Sequence, residues 1–199
     1  MIFCLILAAA IVLADQISKL IVLNTLPAEG DAFEVIKGVF SFCHVENRGA
    51  LAGSFADQRW VFMSVSAIAI VVIVLYLWKE KPESLWLKIP LGFILGGGIG
   101  NMIDRVFRKS VVDFLNCEFL PFPQFSFQGG FSVTITDFPV FNIADCFITV
   151  GCVMMVVYLM LVELPHEIKE ERAKKASLSE EKGSDDLIDT DNNDGNIEE

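Results

Sequence analysis

Two aspartates, Asp113 and Asp145, stand 32 residues apart in a chain of 199. Asp145 lies in the run FNIADCFITVGCVMMVVYLMLV, which carries no other charge. A charge at the centre of a membrane-spanning helix costs roughly 2.5–3.5 kcal/mol on insertion scales, so an acid there calls for a partner and a task. Neither acid has a basic residue within four positions, apart from Lys109 four before Asp113. Two close carboxylates cannot easily ionise together, so one proton is shared and the pair titrates as a unit. Such a pair suits general acid/base work. The charged member takes a proton from water, the protonated member donates to a carbonyl oxygen, and a proton later reaches the leaving amine. Other hydrolytic signatures are missing. His166-Glu167 lacks the second histidine of H-E-x-x-H, His44 stands alone, and no G-x-S-x-G elbow occurs.

The elements that must position these acids are apolar. Hydrophobic residues make up 53% of the chain and the mean hydropathy is +0.53, with the excess gathered in runs. Trp60 to Trp78 is 19 residues without a charge, bracketed by tryptophans as in interfacial aromatic belts. About 20 apolar residues cross the ~30 Å hydrocarbon core. The pattern predicts an all-α membrane protein with four spans, over about residues 2–24, 60–78, 85–107 and 139–162. The first run also has the small residues Ala8–Ala10 and Ala14 of a cleaved signal peptide. Against that reading, no Lys or Arg precedes the run, and apolar residues resume at Leu20–Leu23.

Formal net charge is −11, most of it in residues 163–199, which hold 13 acids and 5 bases. This composition predicts a four-helix membrane domain over residues 1–165 and an acidic tail over 166–199, disordered after about Lys175. The five cysteines show no metal-ligand spacing. Cys43 and Cys117 fall in loops on one side, where pairing and free thiols both remain open. FSVTIT (131–136) alternates as a half-buried strand does, and Glu34–Val45 is rich in β-branched and aromatic residues around Gly38. A small extramembrane sheet is expected there. The aromatic-rich loop 116–139 reads either as an interfacial cover or as packing for that sheet.

Span parity then gathers the polar residues. Spans alternate direction, so the ends of spans 1 and 3 share a side with the starts of spans 2 and 4. Asp15 and Lys19, Asn47, Asn101, Asp104 and Arg105, Asp113, and Asn142 and Asp145 all fall on that side. At 1.5 Å per residue, Asp145 is expected roughly 10 Å below its helix start. Asp15 and Lys19 are i, i+4 and can pair on one face, either to lock helices or to serve the site. Gly96, Gly97, Gly98 and Gly100 suit close helix packing, and Asp104–Arg105 suits a snorkelled helix end.

DQISK (15–19), ENRGA (46–50), GGGIGNMIDR (96–105), VVDF (111–114) and FNIADCFI (141–148) resemble, in order, the motifs of bacterial lipoprotein signal peptidase (signal peptidase II). The resemblance implies an intramembrane aspartic endopeptidase that cuts prolipoproteins before a diacylglyceryl-cysteine, without cofactor or metal. It implies Asp113 and Asp145 as the catalytic dyad. Asp15, Lys19, Asn47, Gly49, Asn101, Asp104, Arg105 and Asn142 match the positions that line and brace the site. It also implies a monomer in the bacterial inner membrane, both termini cytoplasmic and the active site near the outer leaflet, with no nucleic-acid partner. The lysine and arginine distribution, seven against six across the two sides, decides little by itself. A proton-coupled transporter would spread its acids across the bilayer. A GxGD protease would need an acid where Asn101 follows Gly100, and a scaffold would tolerate Asp145→Asn.

Overall fold

The computed structural model describes residues 1–48, 59–118, 138–165, 168–169 and 172. It divides into two compact units, residues 1–155 and 156–199. The first holds helix α1 (Ile2–Thr25), strands β1 (Ala32–Ile36) and β2 (Phe40–Asn47), helices α2 (Arg59–Lys79) and α3 (Leu85–Phe107), and strand β3 (Val111–Cys117). Helix α4 (Ile143–Tyr158) begins in this unit and ends in the second, where a π-helical turn (Leu159–Glu163) continues it. Ile168, Lys169 and Arg172 are also helical. Among the described residues, four helical stretches are long and apolar enough to cross a membrane: Ile2–Thr25, Trp60–Lys79, Leu85–Phe107 and Ile143–Glu163.

Between apolar helices in lipid there is little hydrophobic drive to associate, so small residues and polar contacts decide the packing. Helix α1 buries Cys4, Ala8, Ile11, Asp15, Lys19 and Val22, a stripe of helical period, and turns its other faces outward. The apolar half of the stripe meets Leu91 and Leu95 of α3, joined by Leu77 of α2. The glycines of α3 let backbones touch. A Cβ built at Gly96 would stand 2.9 Å from the Ala8 carbonyl oxygen, and one at Gly97 2.5 Å from that of Ala144. At Gly100 it would stand 2.6 Å from Asp15 Oδ2. The packing role expected of this run holds for these three. Gly98 differs, with Ile70 no nearer than 3.7 Å.

Among the described residues, the sheet is three-stranded and antiparallel in the order β1-β2-β3. The hairpin falls where Glu34–Val45 predicts it, turning at Gly38 with φ +68°. The third strand is VVDFLNC, which sequence reading leaves as loop; four consecutive buried residues, Val111–Phe114, hide the alternation that marks a strand. FSVTIT, most of the 116–139 loop and nearly all of the acidic tail lie outside the described residues. Cys43 and Cys117 are free thiols.

Helix α4 starts at Ile143, four residues later than expected. Phe141 is held extended by exchanging backbone hydrogen bonds with Leu115, its N–H donating at 3.1 Å and its carbonyl accepting at 2.8 Å. Asp145 therefore sits in the first turn of α4, not two turns into the span.

Gly97→Ala is expected to destabilise the protein by about 1–3 kcal/mol, because helix backbones must separate. Gly98→Ala should be neutral or up to ~1 kcal/mol stabilising through helix propensity. Thermal unfolding in one detergent checks both, and equal effects would refute the packing argument.

Candidate active site

The base of the site is a buried cation. Lys19 Nζ lies 2.8 Å from Asp15 Oδ2 and 2.7 Å from Asp104 Oδ2, and all three side chains are fully buried. Its third contact is the Asn101 side-chain oxygen at 3.0 Å. An ammonium has three N–H donors and no acceptor, so Lys19 is saturated. Asp15 Oδ1 accepts the backbone N–H of Ala144 at 3.1 Å, which ties α1 to the first turn of α4. Asp104 Oδ1 pairs with Arg108 Nη1 and accepts from Gln16 Nε2 at 3.2 Å. Gln16 in turn accepts from Arg108 at 3.1 Å. Asp104 is thus a buried ion-pair member and not a snorkelled helix end. A buried charge that loses its partner costs about 3–5 kcal/mol, so this cluster holds α1 and α3 in register.

Two asparagines connect the cluster to the two aspartates, and a third holds Asp113 from the sheet. Asn101 turns its oxygen to Lys19 and donates through Nδ2 to Asp145 Oδ1 at 2.8 Å. Asn142 donates through Nδ2 to Asp113 Oδ1 at 2.7 Å and to Asn101 Oδ1 at 3.1 Å. Asn47, at the end of β2, donates to Asp113 Oδ2 at 2.9 Å.

Asn142 and Asp145 also form a reciprocal cap. The Asp145 N–H donates to Asn142 Oδ1 at 3.0 Å, and the Asn142 N–H donates to Asp145 Oδ2 at 3.1 Å. This is a capping box, with the N-cap and the third helical residue satisfying each other's backbone donors. Their i, i+3 spacing in FNIAD carries that signal. Asp113 is placed by β3, whose pairing sets it opposite Val45 and Asn47 opposite Val111.

Among the described residues, the hydrogen-bond donors to both carboxylates are neutral amides, and neither acid stands in an ion pair. Asp113 is 2% exposed. Burial, opposed by its amide donors and aided by the nearby Asp145 charge, pushes its carboxyl up to about 6. Among the described residues, no three His, Cys, Asp or Glu side chains converge as a metal site would require.

A family model for signal peptidase (SPase) II matches residues 7–161. The chain belongs to the signal peptidase II family. It is 35% identical over 164 residues to the lipoprotein signal peptidase of Geobacillus kaustophilus, covering 82% of this chain and 97% of that one. Against that of Symbiobacterium thermophilum it is 35% identical over 159 residues, covering 80% and 95%. Two solved bacterial membrane enzyme structures, determined by the in meso method at 1.9 and 2.3 Å resolution, superpose with TM-scores of 0.67 and 0.66. They are 26% and 28% identical and cover 81% and 80% of this chain, and 95% and 88% of theirs. Lipoprotein signal peptidases cleave signal peptides from prolipoproteins, and this chain is a multi-pass membrane protease of that family. The resemblance carried by the five motifs is borne out.

In this signal peptidase II chain the expected Asp15, Lys19, Asn47, Asn101, Asp104, Asp113, Asn142 and Asp145 form one hydrogen-bonded network. Arg105 donates to the Asn101 backbone carbonyl at 3.3 Å and lies 6.0 Å from the Phe62 ring centroid. Gly49 lies outside the described residues. Sequence reading missed Gln16 and Arg108 as bracing residues. Arg108 is i, i+4 from Asp104, a spacing that signals an ion pair.

The raised Asp113 carboxyl has a stability consequence of fixed sign. Between about pH 4 and 6 the folded state keeps a proton that the unfolded chain has released. Its contribution is fully present below pH 4 and is lost as pH rises through 6. Relative to Asp113→Asn, wild type should therefore lose about 3 kcal/mol between pH 4 and pH 7. Paired thermal melts across that range check this, and a flat or inverted difference would refute it.

Proposed function

We propose that this chain is an aspartic endopeptidase that removes signal peptides by cutting before a diacylglyceryl-cysteine, with Asp113 and Asp145 as its catalytic dyad. The observation that carries the reading is the pairing of the two carboxylates through Asn142, with Asn142 donating to each. Asp113 holds the shared proton, favoured there by burial. Asp145 takes a proton from a water as its oxygen attacks the scissile carbonyl, while Asp113 gives its proton to the carbonyl oxygen. In the collapse of the tetrahedral species that oxygen's proton returns to Asp113. The Asp145 proton passes to the leaving amine, and the dyad is restored with one proton. Two differing environments for two carboxyls are what such a division of roles needs.

Asp15, Lys19, Asn47, Gly49, Asn101, Asp104, Arg105 and Asn142 line and brace the site. The enzyme works as a monomer in the bacterial inner membrane, among membrane lipid. Both termini are cytoplasmic and the dyad lies near the outer leaflet. Residues 1–165 are the peptidase domain, and 166–199 are a tail outside the chemistry.

The decisive experiment incubates purified protein with a diacylglyceryl prolipoprotein and follows cleavage before the lipidated cysteine. Asp113→Asn and Asp145→Asn should each abolish turnover while substrate still binds. The double variant should be no worse, because the two groups act as one device. EDTA should leave the rate unchanged. Retention of a tenth of wild-type turnover by Asp145→Asn would overturn the dyad.

Deleting residues 176–199 should leave cleavage in detergent within about threefold, an effect below ~1 kcal/mol. A hundredfold loss would show that the tail serves the reaction.

A further inference from the structure

Behind the strand that carries Asp113 lies an apolar cavity of about 410 Å³. Ile21, Val22 and Thr25 of α1 form one wall, and Phe33, Phe42 and Phe114, one from each strand, form the other. Successive strand residues point to opposite faces, so Phe114 faces this cavity while Asp113 faces the asparagines. The cavity is therefore a separate place from the dyad.

Two features identify its occupant. The first is continuity with the membrane surface. Ile21 and its α1 neighbours Leu20, Ile17 and Leu13 are exposed on a spanning helix. The same apolar surface runs on into β1, where Phe33 is 63% exposed beside exposed Val35 and Ile36. An exposed apolar edge strand is a liability in water and a match for the acyl region of a bilayer. The second is that both hydroxyls of the α1 wall already spend their protons inside the helix. The Thr25 hydroxyl donates to the Ile21 carbonyl at 2.8 Å, and that of Ser18, which also lines the cavity, donates to the Asp15 carbonyl at 2.7 Å. A buried water needs two to four polar partners, and this lining is built for a hydrocarbon.

We propose that this cavity takes an acyl chain of a bilayer phospholipid, seated between the outer end of α1 and the back of β3. Such a chain packs against Phe114 and thereby supports the strand from the side opposite Asp113. The site is distinct from that of the peptide being cut.

The test uses the full-length protein in liposomes containing a phosphatidylcholine with a diazirine midway along one acyl chain. After irradiation, adducts are mapped by mass spectrometry. Adducts are expected on Phe42 and on Phe114, which is only 3% exposed, at levels within about threefold of those on lipid-facing Ile21. Ser18→Phe, which fills the cavity, should cut labelling of Phe42 and Phe114 at least fivefold and leave Leu13 unchanged. Adducts confined to outward residues such as Leu13 and Ile17 would overturn the proposal. The wild-type map decides this alone, so the result stands even where Ser18→Phe fails to fold. A second arm offers Asp145→Asn protein, in unlabelled liposomes, a prolipoprotein with the diazirine on its own acyl chain. Labelling of Phe114 there would assign the cavity to the substrate and overturn the bilayer source. Neither arm needs turnover, so both are independent of the dyad assignment.

Discussion

Everything at the end of these helices that carries the acids hangs on one ammonium group. Lys19 carries a full charge in a place with no exposure, and its three N–H bonds go to Asp15, Asp104 and Asn101. Desolvating a charge costs several kcal/mol unless geometry and hydrogen bonding are both complete, and here they are. Two carboxylates against one ammonium would leave a negative residue, which Arg108 offsets by pairing with Asp104. Because Asp15 also receives the Ala144 amide, three helices are referred to the same charge. The arrangement tolerates little drift, since each partner is already fully engaged.

Above that cluster the asparagines act as an insulating layer. Each is neutral, yet each has a donor end and an acceptor end. Asn101 is oriented by Lys19, which claims its oxygen and leaves its amide for Asp145. Asn142 is oriented by the Asp145 backbone N–H, which claims its oxygen and leaves its amide for Asp113. A lysine in place of either would have neutralised a carboxylate and fixed its protonation. Amides position the two acids without neutralising them, as the proposed acid/base work requires.

Much of this was legible in the chain. Spans were visible because a bilayer demands long apolar runs, and span parity alone gathered Asp15, Lys19, Asn101, Asp113 and Asp145 at one end. What escaped has identifiable causes. Strand β3 was hidden because its first four residues are all buried, which erases alternation. The start of α4 was misplaced because Phe138–Phe141 is as apolar as the helix behind it, and only the backbone bridge to Leu115 holds it extended. The depth of Asp145 followed from that error. Arg108 was legible in principle by spacing from Asp104, but a basic residue after a span reads first as an interfacial anchor.

The touching backbones of α3 and α4 set how the protein responds to its surroundings. Where helices meet through long side chains, rotamer changes let the gap breathe as lateral pressure or bilayer thickness varies. At Gly97 the gap is set by main-chain atoms of the Ala144 turn, which have no alternative rotamer to offer. Asp145 is the next residue along. The distance between the two helices is therefore stiff at the one level where geometry matters, whatever lipid the bilayer contains. Compliance is left to the outward faces, where Val150, Val153 and their neighbours can adjust to lipid without moving an acid.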